Sequence, residues 1–228
     1  MNMVDAPLGT VIVGIDEAGR GPLAGPVVAA ACMLPFPLFQ RRDGWWSPVK
    51  KSRKGSCIIG DSKSLSAEQR ETAFAWITRN CAWGVGKAEA EEIDRVGILS
   101  ATEHAMQTAL QDIAQRCTPT YLLVDGRDKF WFDYPHSSII EGDRKEPMIA
   151  AASIIAKVTR DRMMVEWDSR FPLYGFARHK GYGSYEHIEA ILRHGPTPLH
   201  RRTYLTHLYE RRAPSTTTAP SPQARAEA

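Results

Sequence analysis

Short apolar runs alternate with helical periodicities along the 228-residue chain. Val11 to Asp16 (VIVGID) is such a run, stopped by glycine-rich chain, and predicts a strand. Pro26 to Leu34 (PVVAAACML) predicts a second, entered through a proline that the start of a strand tolerates. Trp83 to Ala90, Tyr121 to Asp125 (YLLVD) and Ser138 to Ile140 predict three more. Helical signals separate them. Ser66 with Gln69 makes a capping box that opens a helix to about Asn80. From Ile98 to Arg116, Leu99, Thr102, Met106, Ala109, Leu110 and Ile113 share one face of an amphipathic helix. Pro147 stands where a first turn accepts proline and starts a long helix to about Ser169. Ser184 caps another that runs to His194 and is closed by Gly195-Pro196. The order β-β-α-β-α-β-β-α-α predicts an α/β fold, a mixed five-stranded sheet flanked by helices.

Residues 35–60 are rich in Pro, Trp, Lys and Arg, show neither period, and are expected to be a loop. Residues 213–228 (APSTTTAPSPQARAEA) have no hydrophobic pattern and are expected to be disordered. The expected organisation is an N-terminal arm at 1–10, a main domain at 11–170 with a basic insertion at 36–56, a helical extension at 171–212, and the tail. Gly21 to Gln40 holds 20 residues without a charge, the length of a membrane span. Pro22, Pro26, Pro35 and Pro37 would break a spanning helix, so the stretch predicts a buried strand and a loop, and no membrane partner.

The chain is 43% hydrophobic and 24% charged, which excludes wholesale disorder, collagen and a disulfide-stapled miniprotein. Its four cysteines, at 32, 57, 81 and 117, have neither zinc-ribbon nor thioredoxin spacing and fit reduced thiols. The N-terminus lacks a basic n-region, so a cytoplasmic location is expected. The net charge of +3 hides a division. Residues 36–56 carry +5, residues 174–212 carry +4 and five of the seven histidines, and the rest of the chain is about −6. A metal site flanked by phosphate-binding surface has this distribution, and so do plain solvated loops.

The acids locate the chemistry. The first strand ends in Asp16-Glu17 followed by AGRGP. Two adjacent carboxylates at the end of a buried strand repel each other and resist desolvation, and a divalent cation relieves both costs. Neighbouring strand residues point to opposite faces, so both reach one ion only if the strand bends or ends there. An acid pair capping a turn is the alternative. Asp125 also follows an apolar run and precedes a glycine. If its strand lies beside the first, Asp16 and Asp125 end together at one sheet edge. Asp143 comes next, at a strand end before a helix, where a helix-capping acid would also stand. Oxygen donors with no His or Cys suit magnesium or manganese rather than zinc. Such a cluster points to two-metal phosphoryl hydrolysis. Carboxylate pairs also cleave glycosides, but the basic segments favour a phosphate substrate.

Taken together, residues 12–31 (IVGIDEAGRGPLAGPVVAAA), Asp61-Ser62-Lys63 with Leu65-Ser66, Val124-Asp125-Gly126, residues 152–162 (ASIIAKVTRDR) and residues 179–202 (HKGYGSYEHIEAILRHGPTPLHRR) resemble bacterial ribonuclease HII from about Val11 to Tyr204. The resemblance implies a ribonuclease H-like fold with a C-terminal helical extension. It implies a metal-dependent endoribonuclease that uses Mn2+ or Mg2+. Its substrates would be RNA–DNA hybrids and duplex DNA with single embedded ribonucleotides, its products 3′-hydroxyl and 5′-phosphate ends. It implies metal ligation by Asp16, Glu17, Asp125 and Asp143. It implies contact of the Gly19-Arg20-Gly21 backbone with the 2′-hydroxyl, the group that separates RNA from DNA. It also implies a junction-sensing role for Tyr182 and a phosphate-side lysine at Lys63.

Ser153 and Lys157 lie one turn apart and face either the substrate backbone or solvent as an ordinary polar helix face. His179, His187, His194 and His200 are expected to be structural or to meet phosphate rather than metal. Arg201 and Arg202 are expected to meet phosphate or solvent. Two features depart from the family: Gly60 stands where an Asn is usual, and residues 36–56 are longer and more basic. Trp45-Trp46 there makes either a stacking platform or a loose insertion, the latter being favoured. A catalytically silent binding module would have no use for the acids, and the related type III enzymes need an N-terminal platform for which the residues before the first strand leave no room. A monomer is expected, with a sliding clamp as a partner of the tail.

Overall fold

The computed structural model describes residues 10–35, 39–42, 45–48 and 58–210. Its elements are β1 (Ile12–Ala18), β2 (Val27–Met33), β3 (Phe39–Arg42), β4 (Trp45–Pro48), α1 (Ala67–Asn80), β5 (Ala82–Ala88), α2 (Ala90–Val96), α3 (Ile98–Ala114), β6 (Tyr121–Asp125), β7 (His136–Ile139), α4 (Gly142–Lys145), α5 (Pro147–Arg170), α6 (Phe176–His179), α7 (Tyr185–His194) and α8 (Arg202–Glu210). Five strands form one sheet in the order β5-β2-β1-β6-β7. β2 is antiparallel to β1 and β5, while β1, β6 and β7 run parallel. The expected mixed sheet is present, flanked by helices on both faces.

Alternation along β1 builds the two halves of the core. Ile12 joins the apolar layer under α5 and α1, and Val13 and Ile15 join the layer under α3. Gly14 lets α5 approach β1: a Cβ there would lie 2.6 Å from the Met148 carbonyl oxygen. A third apolar cluster, with Ala24, Met164, Tyr174, Phe176, Ile191 and Leu205, ties α6, α7 and α8 to the end of α5. The Ser66–Gln69 capping box closes as the sequence predicts, with both reciprocal bonds formed.

Several elements differ from expectation. β1 runs two residues past Asp16, through Glu17 to Ala18. The expected loop at 35–60 contains the β3–β4 hairpin, and the Trp46 backbone exchanges hydrogen bonds with Ile59 at 2.8 and 2.7 Å. Trp45 and Trp46 are part-buried against the α5-side core, which makes them neither an open platform nor a loose insertion. Leu99 is 50% exposed, because the buried face of α3 turns on Ala101, Ala105 and Ala109, the small residues that its close approach to β5 requires. The short helices α2, α4, α6 and α8 were not predicted. Cys32, Cys81 and Cys117 are free. Among the described residues no helix is long and apolar enough to cross a membrane. The arm before residue 10, the rest of the 36–56 insertion, and the 213–228 tail with its proposed clamp contact lie outside the described residues.

Gly14→Ala should lower the thermal midpoint sharply, by on the order of 3 kcal/mol of stability or more, because the methyl meets backbone that cannot move aside. A calorimetric scan showing an unchanged midpoint would contradict this packing.

Candidate active site

The parallel pairing of β1 with β6 sets Ile15 beside Val124, so the residues that follow, Asp16 and Asp125, emerge next to each other. The Gly142 amide donates to Asp125 Oδ1 at 2.7 Å, which draws the start of α4, and Asp143 with it, to the same edge. The Glu17 amide donates to Asp16 Oδ1 at 2.7 Å. The chain then turns away at Gly19 with φ +99°, so Glu17 lies at the strand mouth although it alternates with Asp16. A cleft of about 380 Å³ results, lined by Asp16, Glu17, Asp125 and Asp143 together with Gly19, Arg20, Gly21, Lys63, Ser153, Lys157 and Tyr182. Every residue singled out from the sequence as a site residue is in that lining. Ala18, Ser62 and Arg160, which were not singled out for the site, complete it.

The acids are electrostatically frustrated. Burial pushes the Asp16 carboxyl well above its ordinary range, and Glu17 and then Asp125 push it further, against a hydrogen bond from Ser153. Burial likewise raises Glu17 against the pull of Arg20, and raises Asp143 with help from Asp125. Arg20 relieves part of this, at 3.3 Å from Glu17 and 2.7 Å from Asp128. Glu17 Oε2 is buried without any hydrogen-bond partner. Among the described residues no group of three or more His, Cys, Asp or Glu side chains is placed as a ready metal-holding set. The donor set nonetheless suits a hard divalent cation, since all its members are carboxylate oxygens and one is orphaned.

Cationic and hydroxyl groups share the lining with the acids. Ser153 Oγ lies 3.0 Å from Ser62 Oγ, and Lys157 pairs with Asp161 at 2.7 Å. Asp61 accepts from the Lys63 amide at 2.9 Å and pairs with Arg144 at 3.1 Å, which fixes the base of the turn from which the exposed Lys63 extends.

The C-terminal segment corrects one expectation. Arg201 meets neither phosphate nor solvent: it is fully buried and donates to the carbonyls of Gly25 (3.0 Å), Arg20 (2.8 Å) and Gly19 (2.5 Å). Arg202 is exposed, and its amide is capped by Asp94 at 2.8 Å. Arg160, also buried, donates to the carbonyls of Pro26, Lys180 and Ala24. Burial and the neighbouring Arg201 bring its pKa down to about 10, so it stays charged at neutral pH. Nothing in a single sequence marks an arginine whose partners are backbone carbonyls distant in the chain. His187 and His200 are structural, buried and 3.0 Å apart, with burial lowering each pKa to about 4. His179 stacks on His187 at 4.3 Å, and His194 packs edge-on to Tyr174.

A family model described as Ribonuclease HII matches residues 13–43 and 46–207. The protein named Ribonuclease HII from Syntrophotalea carbinolica is 48% identical over 194 residues, covering 85% of this chain and 84% of its own. Its counterpart from Geobacter metallireducens is 48% identical over 197 residues, with 85% and 83% covered. Among solved structures, ribonuclease H2 from Pyrococcus horikoshii OT3 superposes with a TM-score of 0.65 at 26% identity, covering 88% of this chain and 97% of that one.

Two measurements probe the site. In chelator, Asp16→Asn should raise the thermal midpoint by a few degrees, roughly 1 kcal/mol, because it removes a charge that burial and two acids disfavour. Mn2+ should raise the wild-type midpoint and leave the variant nearly unmoved; a variant less stable than wild type in chelator would contradict the frustration. The histidines give a pH signature. Unfolded imidazoles take up protons near pH 6.5 and the buried pair does so only near pH 4, so acidification across that window favours unfolding. The raised carboxyls act in the opposite sense, so the effect is read as a difference. In urea titrations the stability gap between wild type and His200→Gln should narrow from pH 7 to pH 4.5, and a constant gap would exclude it.

Proposed function

The chain belongs to the ribonuclease HII family, whose members are metal-dependent endoribonucleases, and from this premise we propose that it hydrolyses the RNA strand of RNA–DNA hybrids and incises duplex DNA at single embedded ribonucleotides. Its products in this reading are 3′-hydroxyl and 5′-phosphate ends. The observation that supports it best is the one cleft that holds four acids, the Gly-Arg-Gly turn and Tyr182 together.

Asp16, Glu17, Asp125 and Asp143 are the groups that would hold Mg2+ or Mn2+. Two divalent cations bound there supply Lewis-acid stabilisation of the charge that builds on the attacking and leaving oxygens. The chain's own contribution is placement. The Gly142 amide aims Asp125, and the Glu17 amide and Ser153 aim Asp16. Arg20 holds Glu17 from the side. Around Gly19 and Gly21 the backbone comes close to the cleft, and contact with a 2′-hydroxyl through that backbone distinguishes ribose from deoxyribose. Tyr182 is 48% exposed, and its Cε1 lies 4.0 Å from where a Cβ on Gly21 would stand. In this reading the ring packs on the sugar next to the one read by the turn. Lys63 and Lys157 reach the phosphates on either side.

Asp125→Asn should reduce cleavage of a labelled duplex with one ribonucleotide by about a thousandfold, with binding measured by gel shift changed less than about threefold. Near-wild-type turnover of the variant in Mn2+ would exclude this site.

A further inference from the structure

The turn that carries Tyr182 is held more firmly than a surface turn requires. Its three consecutive carbonyls are engaged from three parts of the chain. Arg160 Nη1 donates to the Lys180 carbonyl at 2.9 Å, the Leu23 amide to that of Gly181 at 2.8 Å, and His187 Nδ1 to that of Tyr182 at 2.8 Å. The backbone is left-handed twice in succession, at Lys180 (φ 52°) and Gly181 (φ 84°). For lysine that conformation costs on the order of 1 kcal/mol, so the surroundings impose it. Arg160 reaches the other side as well, to Ala24 and Pro26 at 3.0 and 2.9 Å, and so bridges the end of the Gly-Arg-Gly loop to the Tyr182 turn.

The donor role of His187 is fixed by a chain of neutral rings. The Thr197 amide donates to His200 Nδ1 at 2.9 Å, which leaves the His200 proton on Nε2. That proton is shared with His187 Nε2 at 3.0 Å, so His187 carries its own on Nδ1, aimed at the Tyr182 carbonyl. One buried imidazole, oriented by a second, and a buried guanidinium thus direct their donors to one short stretch of backbone.

We infer that His187, oriented by His200, and Arg160 are positioning residues for selectivity at the RNA–DNA junction, which they set by fixing the Tyr182 ring relative to Gly21. The inference rests on the assignment of Tyr182 above. Its consequence follows from where the ring is used. Next to a lone ribonucleotide the neighbouring sugar is a deoxyribose and the ring packs on it. Within a long hybrid the neighbour is a ribose, the contact is absent, and losing it costs little. A misplacement of about 1 Å is enough to forfeit such a contact.

The test compares wild type, Tyr182→Ala, His187→Leu, His187→Asn and Arg160→Lys on a duplex with one ribonucleotide and on a long hybrid, both in Mn2+. His187→Leu keeps bulk and removes the donor, whereas His187→Asn restores an amide donor near the Nδ1 position. Arg160→Lys keeps the charge and gives up the fork that spans the Ala24, Pro26 and Lys180 carbonyls, so it decides the matter even if His187→Leu does not fold. The ratio of kcat/KM on the single-ribonucleotide duplex to that on the hybrid should fall about tenfold in Tyr182→Ala and His187→Leu and about threefold in Arg160→Lys, with His187→Asn close to wild type. Equal losses on both substrates in His187→Leu and Arg160→Lys, with Tyr182→Ala still selective, overturn the inference alone. An unselective Tyr182→Ala overturns the Tyr182 assignment and the inference with it.

Discussion

Parallel pairing of β1 with β6 is the constraint from which the site follows. It takes an acid two residues from the end of one strand and an acid at the end of the other and brings both to the same edge of the sheet. Sheet hydrogen bonding is indifferent to the charges it juxtaposes, so the cost falls on the carboxyls, which are buried and crowded beyond what one arginine offsets. A fold selected for stability alone would place apolar or amide residues there. Persistent repulsion at a cleft mouth, with one carboxylate oxygen left without a partner, is the condition that hard cations relieve.

Two buried arginines near the cleft invert this electrostatic pattern. Arg160 and Arg201 are buried cations whose partners are neutral carbonyls rather than acids. Each guanidinium offers a rigid fork of donors, and each here satisfies carbonyls from chain segments that would otherwise separate. They serve as crosslinks between the loop after β1 and the segment around α6 and α7. Their positive charge, hydrogen-bonded to carbonyls, stands near a cleft that, in the proposed function, receives a polyanion. The acid cluster and the buried cations therefore act on different parts of such a substrate: the first on cations at the scissile phosphate, the second on the geometry of the sugar-facing loops.

How much of this was legible in the chain depended on whether the signal was local. Tyr121–Asp125 and the Ser66–Gln69 box could be read because an apolar run and a cap are written in adjacent residues. The four acids could be grouped because each lies within two residues of the end or start of an element. Leu99 misled because hydrophobicity alone chose the face of α3, while the actual contact with β5 is so close that alanine, not leucine, fits it. The β3–β4 hairpin was hidden by prolines and cations in a stretch with no alternation. Arg201 was misjudged because an arginine beside other cations looks like surface, and its backbone partners lie at Gly19 to Gly25. Tertiary placement, not composition, decided these cases.

Gly60 shows how one departure can depend on another. A Cβ at this position would lie 2.5 Å from Cε3 of Trp45, so the ring takes the space that a side chain would need. Trp45 is where it is because the hairpin extends the chain back over the α5-side core and bridges through Trp46 to Ile59. The glycine leaves the space that the Trp45 ring fills. Next to it, Asp61 keeps its place through the Lys63 amide and Arg144. The turn that carries Lys63 to the cleft is thus anchored from its far side, and an asparagine at 60 is not needed to hold it. An inserted hairpin that packs its tryptophan against a glycine can leave the neighbouring site geometry intact, provided the anchor of that geometry lies one residue further on.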